Sequence, residues 1–187
     1  MKYLARTATG EPLLGDDEGY VPLGAVEPDV ESVRDALPRA AAGTLGDVAD
    51  ATADPVPAAD VTFGAPLESF GKLWGIGLNY EEHAGDLDEQ RPEEPASFMK
   101  PSSVLTGPGG PIRLPPTEQS ERVTAEAELA VVMGRTCRNV DEGDVDDVVA
   151  GYLPVIDMTA EDVLQRNPRF LTRAKSYDTF LVPGAAL

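Results

Sequence analysis

The chain has 187 residues, 42% of them hydrophobic, enough for one globular domain with a core or for a small domain joined to a larger one. Thirty-three acidic residues against fifteen basic ones give a formal net charge of -18, which argues against a nucleic-acid-binding surface and against an anionic membrane as partner. Four of the basic residues are lysines (Lys2, Lys72, Lys100 and Lys175), and an acidic, Lys-poor, Ala- and Asp-rich chain suits molar salt, where the Debye length shrinks to ~3 Å and self-repulsion is screened. A halophilic source is therefore expected.

The opening Met1-Lys2-Tyr3-Leu4-Ala5-Arg6 has no apolar run long enough for a signal peptide, and no stretch of the sequence is apolar enough to read as a membrane span. Cys137 stands alone, so no intrachain disulfide forms and a reducing compartment fits; it reads as a small side chain at a strand end. A cytoplasmic protein is expected.

In chain order, Tyr3-Leu4-Ala5 and Tyr20-Val21-Pro22-Leu23 read as short strands flanking the acidic turn Gly15-Asp16-Asp17-Glu18-Gly19. Val33 to Leu37 reads as a helix capped by Ser32 and stopped at Pro38. Residues 40–60 are rich in Ala and Pro and poor in large apolar side chains, so they are expected to contribute little core and to connect to a second domain near Phe70. Leu73-Trp74-Gly75-Ile76-Gly77-Leu78 reads as a buried strand ending on Asn79-Tyr80.

A turn-rich stretch through Pro116 excludes long helices, and Val123 to Met133 reads as a strand entering a sheet. Asp141 is expected to cap a helix carrying Val145, Val148, Val149 and Tyr152 at i, i+3, i+4 and i+7. Leu153 to Asp157 reads as a short apolar strand ending in a carboxylate. Thr159 is expected to cap a further helical turn that Asn167-Pro168 stops.

Glu126 and Glu128 are two apart in a strand, so their side chains share one face while Ala125, Ala127 and Leu129 take the other. Two adjacent like charges on an otherwise apolar strand call for a cation, and a hard divalent ion suits carboxylate oxygens; a solvated edge of an acidic protein is the competing reading. Asp157, a third carboxylate at the end of an apolar strand, favours the metal. His83, the one histidine, lies three residues before Asp86, the spacing of a carboxylate-oriented general base or of a surface pair. Lys175 beside an apolar strand reads equally as a holder of substrate negative charge or as a snorkelling surface lysine.

Five blocks now stand in order: Gly77-Leu78-Asn79-Tyr80-x-x-His83-Ala84, Phe98-Met99-Lys100-Pro101, Glu126-Ala127-Glu128-Leu129-Ala130-Val131-Val132, Ala150-Gly151-Tyr152 through Asp157-x-Thr159-Ala160, and Arg173-Ala174-Lys175-Ser176-Tyr177-Asp178-Thr179-Phe180. Together they resemble the fumarylacetoacetate hydrolase family. The resemblance implies a mainly β fold with short helices, of the α+β kind: a small variable N-terminal domain over residues 1–70, then a partial mixed β-roll over residues 71–187.

It further implies Mg²⁺ or Mn²⁺, with Ca²⁺ as a further candidate, on Glu126, Glu128 and Asp157. His83 with Asp86 would be the acid–base dyad, and Asn79, Tyr80, Lys100 and Lys175 would contact substrate. Family members usually carry Glu where Asp86 stands, and they continue through several more strands after the point that Leu187 occupies. The expected activity is carbon–carbon bond cleavage in acylpyruvate-like 2-oxo or β-diketo acids through a metal-stabilised enolate. Decarboxylation, isomerisation and hydration on the same fold are alternatives, as is a truncated or split member that binds metal but is inactive alone. The expected partners are a 2-oxo acid and either a second copy in a homodimer or a complementing second half.

Overall fold

The computed structural model describes residues 1–77 and 94–187. It is mainly β with short helices, as expected. Strands β1 (Tyr3–Arg6), β2 (Pro12–Asp16) and β3 (Gly19–Pro22) form an antiparallel meander, β2 and β3 joined through Asp17-Glu18. The pairing brings in β2, a strand not anticipated in the sequence. Pro12 and Gly15 are poor strand formers, but Leu13 and Leu14 are buried once paired, and tertiary burial outweighs propensity.

Helix α1 (Val33–Ala41) starts where expected. The Asp35 amide donates to Ser32 Oγ at 3.2 Å, and the same hydroxyl donates to the Asp35 carboxylate at 2.6 Å. It does not stop at Pro38. The missing N–H costs one helical bond, while Val33, Ala36 and Leu37 at i, i+3 and i+4 remain buried against the sheet and carry the helix through Ala41. Gly43, at φ +66, then takes the left-handed turn that ends it.

Residues 40–60 contribute more core than their composition promised. Leu45 and Val48 are buried with Leu4, Leu14, Val21, Leu23, Val33 and Leu37. The same cluster includes Leu153 and Leu187, so the core spans both sides of residue 70.

Strands β4 (Leu73–Gly77) and β5 (Ala96–Lys100) pair antiparallel. β4 is not buried as expected: Trp74 and Ile76 are exposed and the alternate residues half-buried, the pattern of a sheet with one open face. Gly75 has a definite task. A Cβ there would lie 2.2 Å from the tip of the Phe98 ring, so only glycine lets that ring lie across β4.

Strand β6 (Val123–Met133) has the predicted bounds. It pairs with β7 (Val149–Ala160), and β7 with the short β8 (Leu181–Pro183). The helix expected from Asp141 is only a 3-10 stretch over Glu142–Asp147. Val149 and Tyr152 fit a helical period, but they are β-branched and aromatic, and β6 offers them partners: Met133 opposite Val149 and Val131 opposite Tyr152. Thr159 likewise caps nothing. It lies inside β7, and α2 (Glu161–Arg166) begins after Ala160 without a side-chain cap. Helix α3 (Leu171–Lys175) returns the chain towards β8. Cys137 is exposed in the stretch after β6. Among the described residues no helix is long and apolar enough to cross a membrane.

Candidate active site

The register of β6 against β7 sets Glu126 directly opposite Asp157, and Glu128 opposite Val155. On β6 the outward face is Ala125, Ala127, Leu129, Val131 and Met133, all exposed, while Glu126 and Glu128 share the half-buried face, as a period of two requires. Asp157 is buried within β7, three residues before the strand's end.

Two lysines meet these carboxylates. Lys100, the last residue of β5, is buried; its ammonium donates to Asp157 Oδ1, to the Phe180 carbonyl at 2.8 Å and, more weakly, to the Met158 carbonyl at 3.4 Å. Its three donors are thus directed at protein acceptors, whereas sequence resemblance suggested a substrate contact. Burial pushes the Lys100 ammonium below its ordinary value, against the pull of Asp157 in the opposite direction. Lys175, the last residue of α3, is also buried, and so does not snorkel. It donates to Asp157 Oδ2 at 2.8 Å, Glu126 Oε2 at 3.1 Å and Thr159 Oγ1 at 2.7 Å.

Thr159 completes the ring by donating its proton to Glu126 Oε1 at 2.5 Å, which leaves its oxygen lone pair for Lys175. The Phe98 ring lies under Lys175 with its centroid 5.1 Å from Nζ. Gly75, by admitting Phe98, therefore shapes the floor of the site.

The chain around Phe180 is bent to fit. Thr179 has φ +66, an unusual state for a β-branched residue, and its hydroxyl accepts from the Arg113 amide at 2.8 Å. This turn precedes the Phe180 carbonyl that Lys100 binds. Ser176 Oγ, next to Lys175, is buried without a hydrogen-bond partner among the described residues.

Of the residues singled out in the sequence, Glu126, Asp157, Lys100 and Lys175 thus come together, with Glu128 on the same sheet face. His83, Asp86, Asn79 and Tyr80 lie outside the described residues. Thr159 was missed in its present role, because a Thr before a helical pattern resembles a cap. Its signal was the two-residue step from Asp157, which puts both on one face of a strand.

Among the described residues, no three acidic, His or Cys side chains close round one metal-sized position. The donor chemistry nevertheless suits a hard cation. Carboxylate and hydroxyl oxygens from Glu126, Asp157 and Thr159 already cradle one positive charge at 2.7 to 3.1 Å, with Glu128 as a further carboxylate on that face. Two cavities among the described residues lie elsewhere. One of about 250 Å³ is lined by Lys2, Leu4, Leu45 and Leu187, and one of about 490 Å³ by Thr7, Tyr20 and Val61 among others. Neither touches the carboxylates.

The profile of the fumarylacetoacetate (FAA) hydrolase C-terminal family matches residues 72–187. The chain belongs to the fumarylacetoacetate hydrolase family. Among curated relatives, it is 37% identical over 136 residues to a 2,4-didehydro-3-deoxy-L-rhamnonate hydrolase of Sphingomonas sp. strain SKA58, covering 73% of this chain and 47% of that one. It is 37% identical over 129 residues to a mitochondrial oxaloacetate tautomerase of Xenopus laevis, covering 68% of this chain and 40% of the relative.

Among solved structures, the maleylpyruvate hydrolase of Sphingobium sp. SYK-6, in complex with manganese(II) and pyruvate, superposes with a TM-score of 0.71 at 26% identity. That match covers 99% of this chain and 66% of the neighbour. The chain spans about half the length of the curated relatives it matches. The fold is therefore of the fumarylacetoacetate hydrolase type, and the family's named members here include hydrolases and a tautomerase, an enzymatic context in the coarse sense.

Proposed function

We propose that this chain serves a metal-dependent carbon–carbon bond hydrolase acting on acylpyruvate-like 2-oxo or β-diketo acids, with Mg²⁺ or Mn²⁺ held by Glu126, Glu128 and Asp157. The observation that carries the reading is the buried cation cradle formed where Glu126 faces Asp157 across β6 and β7. Manganese and pyruvate in the maleylpyruvate hydrolase neighbour support both the ion and the substrate class. The bound cation would supply Lewis-acid polarisation of the substrate's 2-oxo acid oxygens.

The chain's own residues do the rest. Lys100 fixes one oxygen of Asp157 and leaves the other free to face the cradle. Thr159 orients Glu126 by its hydroxyl proton. Lys175 supplies positive charge where an enolate gathers negative charge. The Phe98 ring keeps water from one side of the Lys175 ammonium. His83, oriented by Asp86, takes the proton from the attacking water in this reading. The exposed apolar side of β6 and β7, with Leu129, Val131, Tyr152 and Ile156, suits cover by a second copy or by a complementing polypeptide.

A second reading, keto–enol isomerisation without bond cleavage, draws support from the tautomerase relative. Assaying acylpyruvate cleavage and oxaloacetate enol-to-keto conversion side by side in molar KCl with Mn²⁺ separates the two. Calorimetric Mn²⁺ titration of Glu126→Ala and Glu128→Ala tests the site itself: both are expected to lose at least ~10-fold in affinity, as removal of a ligand should. Wild-type affinity in both would remove the metal assignment. His83→Ala is expected to lower kcat by ~10²–10⁴ with metal affinity intact.

A further inference from the structure

We propose that Lys175 is an exchangeable counter-cation: its ammonium and a divalent metal compete for the same Glu126 and Asp157 oxygens, while Lys100 is the fixed cation that keeps Asp157 aimed. The proposal rests on the metal reading above and adds a mechanism by which the site loads.

The two lysines grip Asp157 from opposite oxygens, and they are held in different ways. Lys100 binds Oδ1 and is tied to two main-chain carbonyls, those of Met158 and Phe180, which cannot move without moving β7 and the turn before β8. Its side chain is 1% exposed. Lys175 binds Oδ2, and every acceptor it uses is a side-chain atom: Asp157 Oδ2, Glu126 Oε2 and Thr159 Oγ1. It ends a helix of only five residues, and Glu126, one of its partners, is more than a quarter exposed. Releasing Lys175 takes rotations about its stem bonds and no shift of backbone, whereas releasing Lys100 would break main-chain contacts.

Charge balance points the same way. With Lys175 in the cradle, Glu126 and Asp157 are neutralised by the two lysines, and a divalent ion brought to that neutral group would face two nearby ammonium charges. On the same groups, a divalent ion beside both lysines leaves two positive charges in excess, and with Lys175 withdrawn the excess falls to one. In a half-buried site an uncompensated charge is costly, so entry of metal and exit of Lys175 are coupled. The displaced ammonium is then an unpaired cation at the rim of the site, and a 2-oxo acid carboxylate is its natural partner. Loading with metal would thereby create the charge that receives substrate.

The test is a calorimetric Mn²⁺ titration of the full chain at constant pH in molar KCl, on wild type, Lys175→Met and Lys175→Arg. Lys175→Met removes the competitor and is expected to bind Mn²⁺ about tenfold or more tightly than wild type, the scale of one charge-assisted contact. Lys175→Arg keeps a positive charge and should gain less. A second measurement needs no variant to fold. In wild type labelled with ¹⁵N- and ¹³C-lysine, which has four lysines to resolve, Mg²⁺ is expected to move the Lys175 side-chain signal while the Lys100 signal keeps its protection.

Wild-type Mn²⁺ binding with equal or weaker binding by Lys175→Met would overturn the exchange and leave the metal site standing. So would a Lys175 signal unmoved at saturating Mg²⁺. Absence of Mn²⁺ binding in wild type and both variants would overturn exchange and metal site together.

Discussion

The core under α1 and the site under α3 are built on opposite principles. Around α1 the inward side chains of β1, β2 and β3 are apolar, and Leu4, Leu14, Val21, Leu23, Val33 and Leu37 are buried against one another. Its one buried acid, Glu27, is met by Arg39 and by the Gly46 amide at 2.8 Å. Between β5, β7 and α3, by contrast, Lys100, Asp157, Thr159 and Lys175 are all buried, within contact of a second core that includes Met158, Ala174 and Phe180. Apolar burial stabilises at roughly 25 cal/mol per Å². Buried ion pairs roughly cancel their desolvation cost, so a cluster of them is poor evidence for stability and better evidence for a task.

The sharpest way to break that comparison is to remove one group from each region. Asp157→Ala leaves two ammonium groups buried without their shared partner and is expected to lower unfolding free energy by ~3–5 kcal/mol. Leu14→Ala, in the apolar core, is expected to cost a similar ~2–5 kcal/mol by opening a cavity. Urea unfolding reads both. The regions should then part in the response to a second change: adding Lys100→Met to Asp157→Ala should recover part of the loss, because it removes a stranded charge, whereas Leu14→Ala, made within an apolar cluster, strands no charge that a second change could remove. If the double variant is no more stable than Asp157→Ala, the loss lies in packing and the two regions are alike.

Gly75→Ala is a smaller change that sharpens the contrast, because it reaches the site through a contact made by carbon atoms alone. The new Cβ meets the Phe98 ring at 2.2 Å, so the ring must leave its place under Lys175, at a cost of ~1–3 kcal/mol from overpacking. Fluorine NMR of fluorophenylalanine-labelled protein should show the Phe98 signal shifted, with the Phe63 signal unmoved. A Phe98 signal that stays in place would mean the β4–β5 pair gives way instead of the ring.

What the sequence could disclose follows the same division. The half-buried face of β6 was legible because a period of two is local, and the strand's bounds came out as Val123–Met133. Ser32 was legible as a cap for the same reason. Pro38 within α1, β2, and the strand in place of a helix after Asp147 were not, because each was decided by partners distant in sequence: the sheet under Leu37, the burial of Leu14, and β6 beside Val149.

At the site, residue types were readable and geometry was not. Nothing local in Phe98-Met99-Lys100 says that Lys100 reaches Asp157, 57 residues on. Thr159 looked like a cap because a Thr two and three residues ahead of the acids Glu161 and Asp162, with Val163 after them, is a capping pattern; the ladder against Thr124 kept it in the strand.

The smallest expected effect concerns a carboxylate whose partners differ from those of Asp157. Asp162, in the first turn of α2, accepts from Ser120 Oγ at 2.5 Å, from the Glu121 amide at 3.3 Å and from Arg166 at 3.0 Å. The Ser120 bond above all holds its carboxyl down to about 2. An unfolded Asp titrates near ~3.9, so the folded chain binds this proton less readily than the unfolded one. The carboxylate therefore contributes its full stability above about pH 4, and the contribution fades as pH falls towards about 2. Asp162→Asn has no such term. The stability gap between wild type and Asp162→Asn should thus be widest near neutral pH and close between about pH 4 and 2, and it should stay small throughout, since the side chain is more than a quarter exposed and solvent screens its pairs. Urea midpoints of both proteins across that range, at one salt concentration, are the measurement, with Ser120→Ala as the companion that should lose most of the same pH dependence. A gap of constant width would mean that Ser120 grips the neutral acid as firmly as the carboxylate. The anchor joining α2 to the segment before β6 would then work by hydrogen bonding alone.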